Sequence, residues 1–203
     1  MQQIYLDNAA TTPVRPEVEE VMQPYFCEKY GNPSGIYKMA SECRQALETV
    51  RKQIGKTLKV SAEEIYFTSG GTESDNWAIK STAQRLKEKG KHIITSKIEH
   101  HAVLNSCAYL ETQGFEVTYL DVDEWGCVRF DALQRAIRKD TILISIMYAN
   151  NEVGTIQPIG QIGKIAKEND IFFHTDAVQA YGQIPIDVKR ENIHLLSASA
   201  HKF

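Results

Sequence analysis

The apolar positions of this chain change period near residue 65. Before that point the spacing is helical. Val18, Val21, Met22, Tyr25 and Phe26 recur at three- and four-residue steps, with Arg15-Pro16 at the expected start and Pro24 expected to bend or end the helix. Gly31-Asn32-Pro33-Ser34-Gly35 is a loop by its turn chemistry. Ala40, Cys43, Leu47, Val50, Ile54 and Leu58 then mark one face of a longer helix, while Glu42, Arg44, Glu48, Arg51 and Lys52 face away. Cys43 is therefore read as core rather than reactive. From Ile65 onward short apolar runs alternate with helix-length stretches: 65–68, 92–95, 116–120, 142–147, 171–175 and 195–197. The run at 142–147 is apolar on both faces, as strands sandwiched between helices are. This rhythm predicts an α/β fold with an open, mostly parallel sheet covered by helices on both faces. In such sheets ligands sit at the carboxyl ends of the strands.

Composition narrows the class. The 203 residues are 42% hydrophobic and 24% charged, which excludes disorder and collagen-like repetition. Lys plus Arg number 23 against 26 Asp plus Glu, and this near balance argues against nucleic acid as a partner. Cys27, Cys43, Cys107 and Cys127 form no C-x-x-C pair and no zinc spacing, so a reduced, intracellular protein is expected. Residues 1–12 carry no secretory pattern, and no apolar run approaches membrane-spanning length. A cytoplasmic protein without a membrane partner is the expectation. No repeat or linker divides the chain, so residues 1–203 are read as one domain.

Chemistry is sought after each run. Ser69-Gly70-Gly71-Thr72 reads first as a tight strand-to-helix turn capped by Thr72, and second as a helix N-terminus that would seat a phosphate. It matches neither a dinucleotide fingerprint nor a Walker loop. His100 and His101 open a helix, where one ring would cap and one would lie against an aromatic ligand. Asn150 and Asn151 follow the buried run at 142–147, either making a turn or orienting a ligand oxygen. Asp176 emerges from a buried strand and needs a partner, from the protein or from a protonated ligand nitrogen. Lys202 ends the last run among small residues, where an amine loses its proton more easily and attacks a carbonyl. A metal held by His100, His101, His174, Asp176 and His201 is the weaker assembly, since no pair has metalloprotease spacing and Lys202 is left unexplained. A phosphate seat, a ring stacker, an acid for a pyridinium and a Schiff-base lysine together match pyridoxal phosphate.

The segments Asp7-Asn8-Ala9-Ala10-Thr11-Thr12-Pro13, Gly31-Asn32-Pro33-Ser34, the stretch from Thr68 to Asn76, Asn150-Asn151-Glu152, the stretch from His174 to Gln179, and Ser199-Ala200-His201-Lys202 closely resemble the NifS/IscS group of cysteine desulfurases, class V aminotransferase-fold enzymes. The resemblance implies that Lys202 bonds the cofactor and moves protons, that Asp176 pairs with the pyridinium, and that His100 stacks on the ring and assists proton transfer. It further implies that Gly71, Thr72, Ser199 and His201 bind the phosphate, Gln179 the phenolic oxygen, and Asn151 the cofactor or the substrate carboxylate. His101 falls where the family varies. The implied reaction takes sulfur from L-cysteine, leaving L-alanine and an enzyme persulfide for Fe-S scaffold proteins or thiolation, in a homodimer.

Two departures stand out. Ala200 replaces a glycine common in the group, and the sequence stops one residue after Lys202. The persulfide-forming cysteine, the carboxylate-binding arginine and the smaller domain that the resemblance implies are not among these residues. The expectation is therefore a truncated large domain with an N-terminal arm, binding cofactor weakly, releasing no sulfide, and prone to associate through exposed apolar surface. A selenocysteine lyase, another class V aminotransferase and a non-catalytic binding piece are the alternatives.

Overall fold

Two prolines divide the first helical stretch. In the computed structural model, which describes residues 4–203, α1 (Pro16–Met22) and α2 (Pro24–Cys27) each begin on a proline. A proline has no N–H to leave unbonded at a helix start, and its ring clashes with any turn continued before it. Of the two outcomes expected at Pro24, a bend or an end, the helix ends there and a second short one begins. The loop that follows is tied by its own asparagine, whose Oδ1 accepts from Ser34 N–H at 3.0 Å. Then α3 (Lys38–Leu58) buries Ala40, Cys43 and Leu58, with Leu47 and Ile54 half-buried. Val50, expected on this face, is 41% exposed. At about 100° per residue it lies roughly 80° from the line through Ala40 and Leu58, at the edge of the stripe. Residues Thr11–Phe67 make one compact unit.

The run at 65–68 is not a strand. It is extended but joins no ladder among the described residues, and Tyr66 and Phe67 are 68% and 48% exposed. Arg51 donates from Nε to the Ile65 carbonyl at 3.3 Å, and its guanidinium lies 5.2 Å from the Phe67 ring centre. Strand-like composition makes a strand only where a neighbour offers a ladder.

The second compact unit comprises residues 4–10 and Thr68–Phe203. After α4 (Gly71–Leu86), strand β1 (His92–Ser96), α5 (His101–Thr112), β2 (Glu116–Leu120), α6 (Phe130–Ala136), β3 (Thr141–Ser145), α7 (Ile159–Glu168), β4 (Phe172–Asp176) and β5 (Leu195–Ser197) follow in turn. The five strands are all parallel, in the order β2-β1-β3-β4-β5. Right-handed crossovers place α5, which steps from β1 outward to β2, on one face, and α6 and α7, which step the other way, on the opposite face. α4 packs against α5. Between these helices and the sheet, Ile79, Ala83, Val103, Cys107 and Leu110 close over Ile93, Ile142 and Leu143. Every residue of β1 and β3 is buried, as in strands covered on both faces. His92, also buried, joins three strands: its ring nitrogens meet Thr141 Oγ1 at 2.7 Å and Thr118 Oγ1 at 2.8 Å. The winding reverses between β1 and β3, which opens a crevice at the carboxyl ends of the sheet. No helix among the described residues is long and apolar enough to cross a membrane.

Candidate active site

That crevice holds a cavity of about 340 Å³, and all nine residues picked from the sequence line it. Gly71 and Thr72 come from the start of α4, His100 from the residue capping α5, and Asn151 from the turn after β3. Asp176 ends β4, Gln179 lies in the following turn, and Ser199, His201 and Lys202 follow β5. Residues distant in sequence meet here because parallel strands present all their carboxyl ends on one edge.

The start of α4 suits an anion. Its first backward bond runs from Ser74 N–H to Gly70 O at 3.1 Å, so the amides ahead of Ser74 precede the helical ladder. A side chain at Gly71 would meet Val178 Cγ2 at 2.8 Å, so only glycine fits against the turn after β4 as it stands. Thr72, Ser199 and His201 line the same cavity, so donors that could serve an anion accompany the helix start.

The opposite chemistry lies at the end of β4. Asp176 Oδ1 accepts from Val178 N–H at 2.9 Å, yet burial pushes its carboxyl above the ordinary range despite that bond and the nearby His100. Asp75, on α4, is sealed beside it, and burial followed by the charge of Asp176 raises it to about 8. Glu99, just before His100, is raised by burial to about 8. It accepts from Ser96 Oγ at 2.5 Å and from Met147 N–H at 3.0 Å, tying the end of β1 to the end of β3. His174 is held neutral by burial, down to about 3, with its nitrogens engaged by Ser145 Oγ at 2.8 Å and Ser197 Oγ at 3.1 Å. A histidine so occupied is a core residue. Among the described residues no cluster of three His, Cys, Asp or Glu side chains is placed to hold a metal.

Lys202 turns inward across the cavity. Its Nζ donates to the carbonyls of Ala10, at 2.6 Å, and Ala9. Gln179 Nε2 donates to the same Ala9 oxygen at 3.0 Å. His100 accepts from Ala102 N–H through Nδ1 at 3.1 Å, which leaves Nε2 to carry the proton of the neutral ring. His101 begins α5, with its ring 6.3 Å from that of His100. It does not line the cavity.

Several wall residues were not singled out from sequence: Ala9, Ala10, Asp75, Met147, Ala149 and Val178. The apolar ones carry no chemical signal, and an aspartate within a helix reads as solvated. Of the two roles expected for the asparagine pair, Asn150 takes that of the turn. It is the turn's organiser, with Oδ1 accepting from Glu152 and Val153 N–H at 2.8 and 2.9 Å and Nδ2 donating to Ile98 O at 2.9 Å. Cys107 is buried core, its thiol pushed up to about 12 by burial, and no cysteine lines the cavity among the described residues.

An anion seat, a buried carboxyl in want of a cation, an inward lysine and a histidine at the rim fit pyridoxal phosphate. The close approach at Gly71 and the raised Asp176 are the observations that test this fit. Fold and site thus define a large-domain architecture of the pyridoxal-phosphate transferase kind. The chain belongs to the aminotransferase class-V family, which matches residues 4–203, and that membership implies a pyridoxal-phosphate enzyme. It is 64% identical over 200 residues to the cysteine desulfurase IscS of Methanosarcina thermophila, covering 98% of this chain and 50% of the relative. To the IscS of Dictyoglomus turgidum it is 59% identical, covering 100% and 51%. Among solved structures, a NifS-like protein superposes with a TM-score of 0.96 at 43% identity, covering 100% of this chain and 56% of that one. A structure described as SspA in complex with cysteine gives 0.95 at 45%, covering 98% and 57%. The chain spans about half the length of the curated relatives it matches.

Proposed function

We propose that residues 1–203 are the cofactor-binding large domain of a cysteine desulfurase, acting in the cytoplasm as part of a homodimer. Its substrate is L-cysteine and its product sulfur goes to an acceptor such as an Fe-S scaffold. The observation that carries this reading is that Lys202 and Asp176 line the same cavity as the start of α4. When bound, pyridoxal phosphate supplies an electron sink through its ring nitrogen. The chain's own groups do the rest. Gly71, Thr72, Ser199 and His201 hold the phosphate, which fixes one end of the ring. Asp176 keeps a proton on the ring nitrogen by offering it a carboxylate in a buried site, where such a pairing is little screened. His100 covers the ring face and presents its Nε2 proton. Gln179 and Asn151 orient oxygens at the rim. Lys202 would be the amine that holds the cofactor, and its Nζ, which donates to the Ala9 and Ala10 carbonyls, would be the group that takes up and returns a proton there.

Adding pyridoxal phosphate to the purified chain is expected to produce a visible absorption band that Lys202→Ala lacks. Identical spectra for the two would overturn the reading. The cavity wall carries neither a cysteine nor an arginine among the described residues. The loaded chain is accordingly expected to release no sulfide from L-cysteine, and turnover comparable to that of a cysteine desulfurase would contradict this.

A further inference from the structure

Asp75 has no role in the reading so far. It lies in the second turn's approach of α4, 1% exposed, on the wall that also carries Asp176. Its own helix brings Ser74, whose Oγ donates to Ser197 Oγ at 2.9 Å. From β4 come Asp176 and His174, whose Nε2 stands 3.6 Å from Asp75 Oδ1. Ser197 hydrogen-bonds to it from β5, which favours the ionised acid but is outweighed by burial and by the charge of Asp176. His100 acts on Asp176, Glu99 is a further buried carboxyl, and Lys202 donates its hydrogen bonds to the Ala9 and Ala10 carbonyls.

None of these neighbours supplies Asp75 with a cation. His174 has both nitrogens taken by serines and is neutral. An ionised Asp75 would be a second anion against Asp176, and its Oδ1 is buried with no hydrogen-bond partner. A neutral acid avoids both costs and has one proton to place. The two carboxyls interact directly, in the sense that hydrogen bonding to Asp75 favours the charged Asp176 while hydrogen bonding to Asp176 favours the neutral Asp75.

We propose that Asp75 is a positioning residue for Asp176: it stands as a carboxylic acid and donates its proton in a hydrogen bond to Asp176. The pair then carries a single negative charge, located on Asp176 and available to the cofactor's ring nitrogen. The inference rests on the cofactor reading only for what Asp176 serves. The shared proton belongs to the protein alone.

Carboxyl carbon NMR of the cofactor-free chain tests it. One aspartate signal is expected to remain protonated at pH 7 and to vanish in Asp75→Asn. In Asp75→Asn, whose amide still donates, Asp176 titrates at or below its wild-type position. In Asp75→Leu, which keeps bulk but cannot donate, Asp176 moves up by about one pH unit or more. An Asp75 ionised at pH 7 in the wild-type chain overturns the proposal, whether or not the leucine variant folds. So does an Asp176 titration that is the same in both variants, since a merely structural residue would leave it unmoved. Pyridoxal phosphate binding adds a second readout: Asp75→Leu weakens it about tenfold and Asp75→Asn restores it. If the wild-type chain took up no cofactor, the functional reading would fail, and the carboxyl titration would still decide the pair.

Discussion

Glu99 shows how one buried side chain places a neighbour that does chemistry. Its carboxyl bridges Ser96 Oγ at the end of β1 and Met147 N–H beyond the end of β3, and the next residue is His100. Removing it by Glu99→Ala leaves a buried N–H without an acceptor and a small void, and is expected to lower the unfolding free energy by about 2 kcal/mol. Glu99→Gln keeps an amide oxygen for Met147 and should cost less than half as much. Urea denaturation of the three chains checks both values. Equal losses would mean that shape, rather than the hydrogen bond, matters at this position. If the bridge also aims His100, then Glu99→Ala weakens pyridoxal phosphate binding while leaving the Lys202 band at its wild-type wavelength.

The contact between the start of α4 and the turn after β4 sets the width of the phosphate seat. A methyl group at Gly71 would press on Val178 Cγ2 at 2.8 Å. Gly71→Ala is expected to destabilise the chain by about 1 kcal/mol through this overpacking, and Val178→Ala in the same chain should return the loss. A double-mutant cycle read by denaturant midpoints measures the coupling, and strictly additive effects would contradict the contact. At this scale the sequence was legible where one property decides the element. The run at 142–147, apolar on both faces, reads as an interior strand, and β3 is buried at every residue. Proline marked both short helices, and strand ends pointed to Gly71, Thr72, His100, Asn151, Asp176 and Lys202, while Gln179, Ser199 and His201 came from the family resemblance. It was not legible where a partner decides. Residues 65–68 have strand composition but no ladder. Asp75 reads as a solvated helix residue until the fold seals it against Asp176. Asn150 and Asn151 are alike in sequence, and only the closed turn shows that the first organises the backbone while the second faces the cavity.

Over the sheet-containing unit as a whole, buried titrating groups give stability a definite dependence on pH. Burial raises Glu99 and Asp75 to about 8 and lowers His174 to about 3. A carboxyl with a raised value binds its proton more tightly folded than unfolded. Its contribution is complete below the ordinary carboxylate range and is lost as pH climbs through 8. His174 works the other way, contributing fully above its ordinary value near 6.5 and losing that contribution as pH falls toward 3. Between about pH 4.5 and 6.5 the histidine's gain partly offsets the carboxyls' loss. From there to about pH 8 the loss from the raised carboxyls, Asp176 and Glu191 among them, is no longer offset, and Glu99 removes roughly 1 kcal/mol per pH unit. The urea midpoint of the cofactor-free chain is therefore expected to be higher near pH 6 than near pH 8.5, and Glu99→Gln should flatten part of that decline. A midpoint that rises across this interval would mean that the carboxyls are ionised in the folded chain. The neutral Asp75 inferred above would then fall with it, because both conclusions depend on a protein interior that holds protons its surface residues have released.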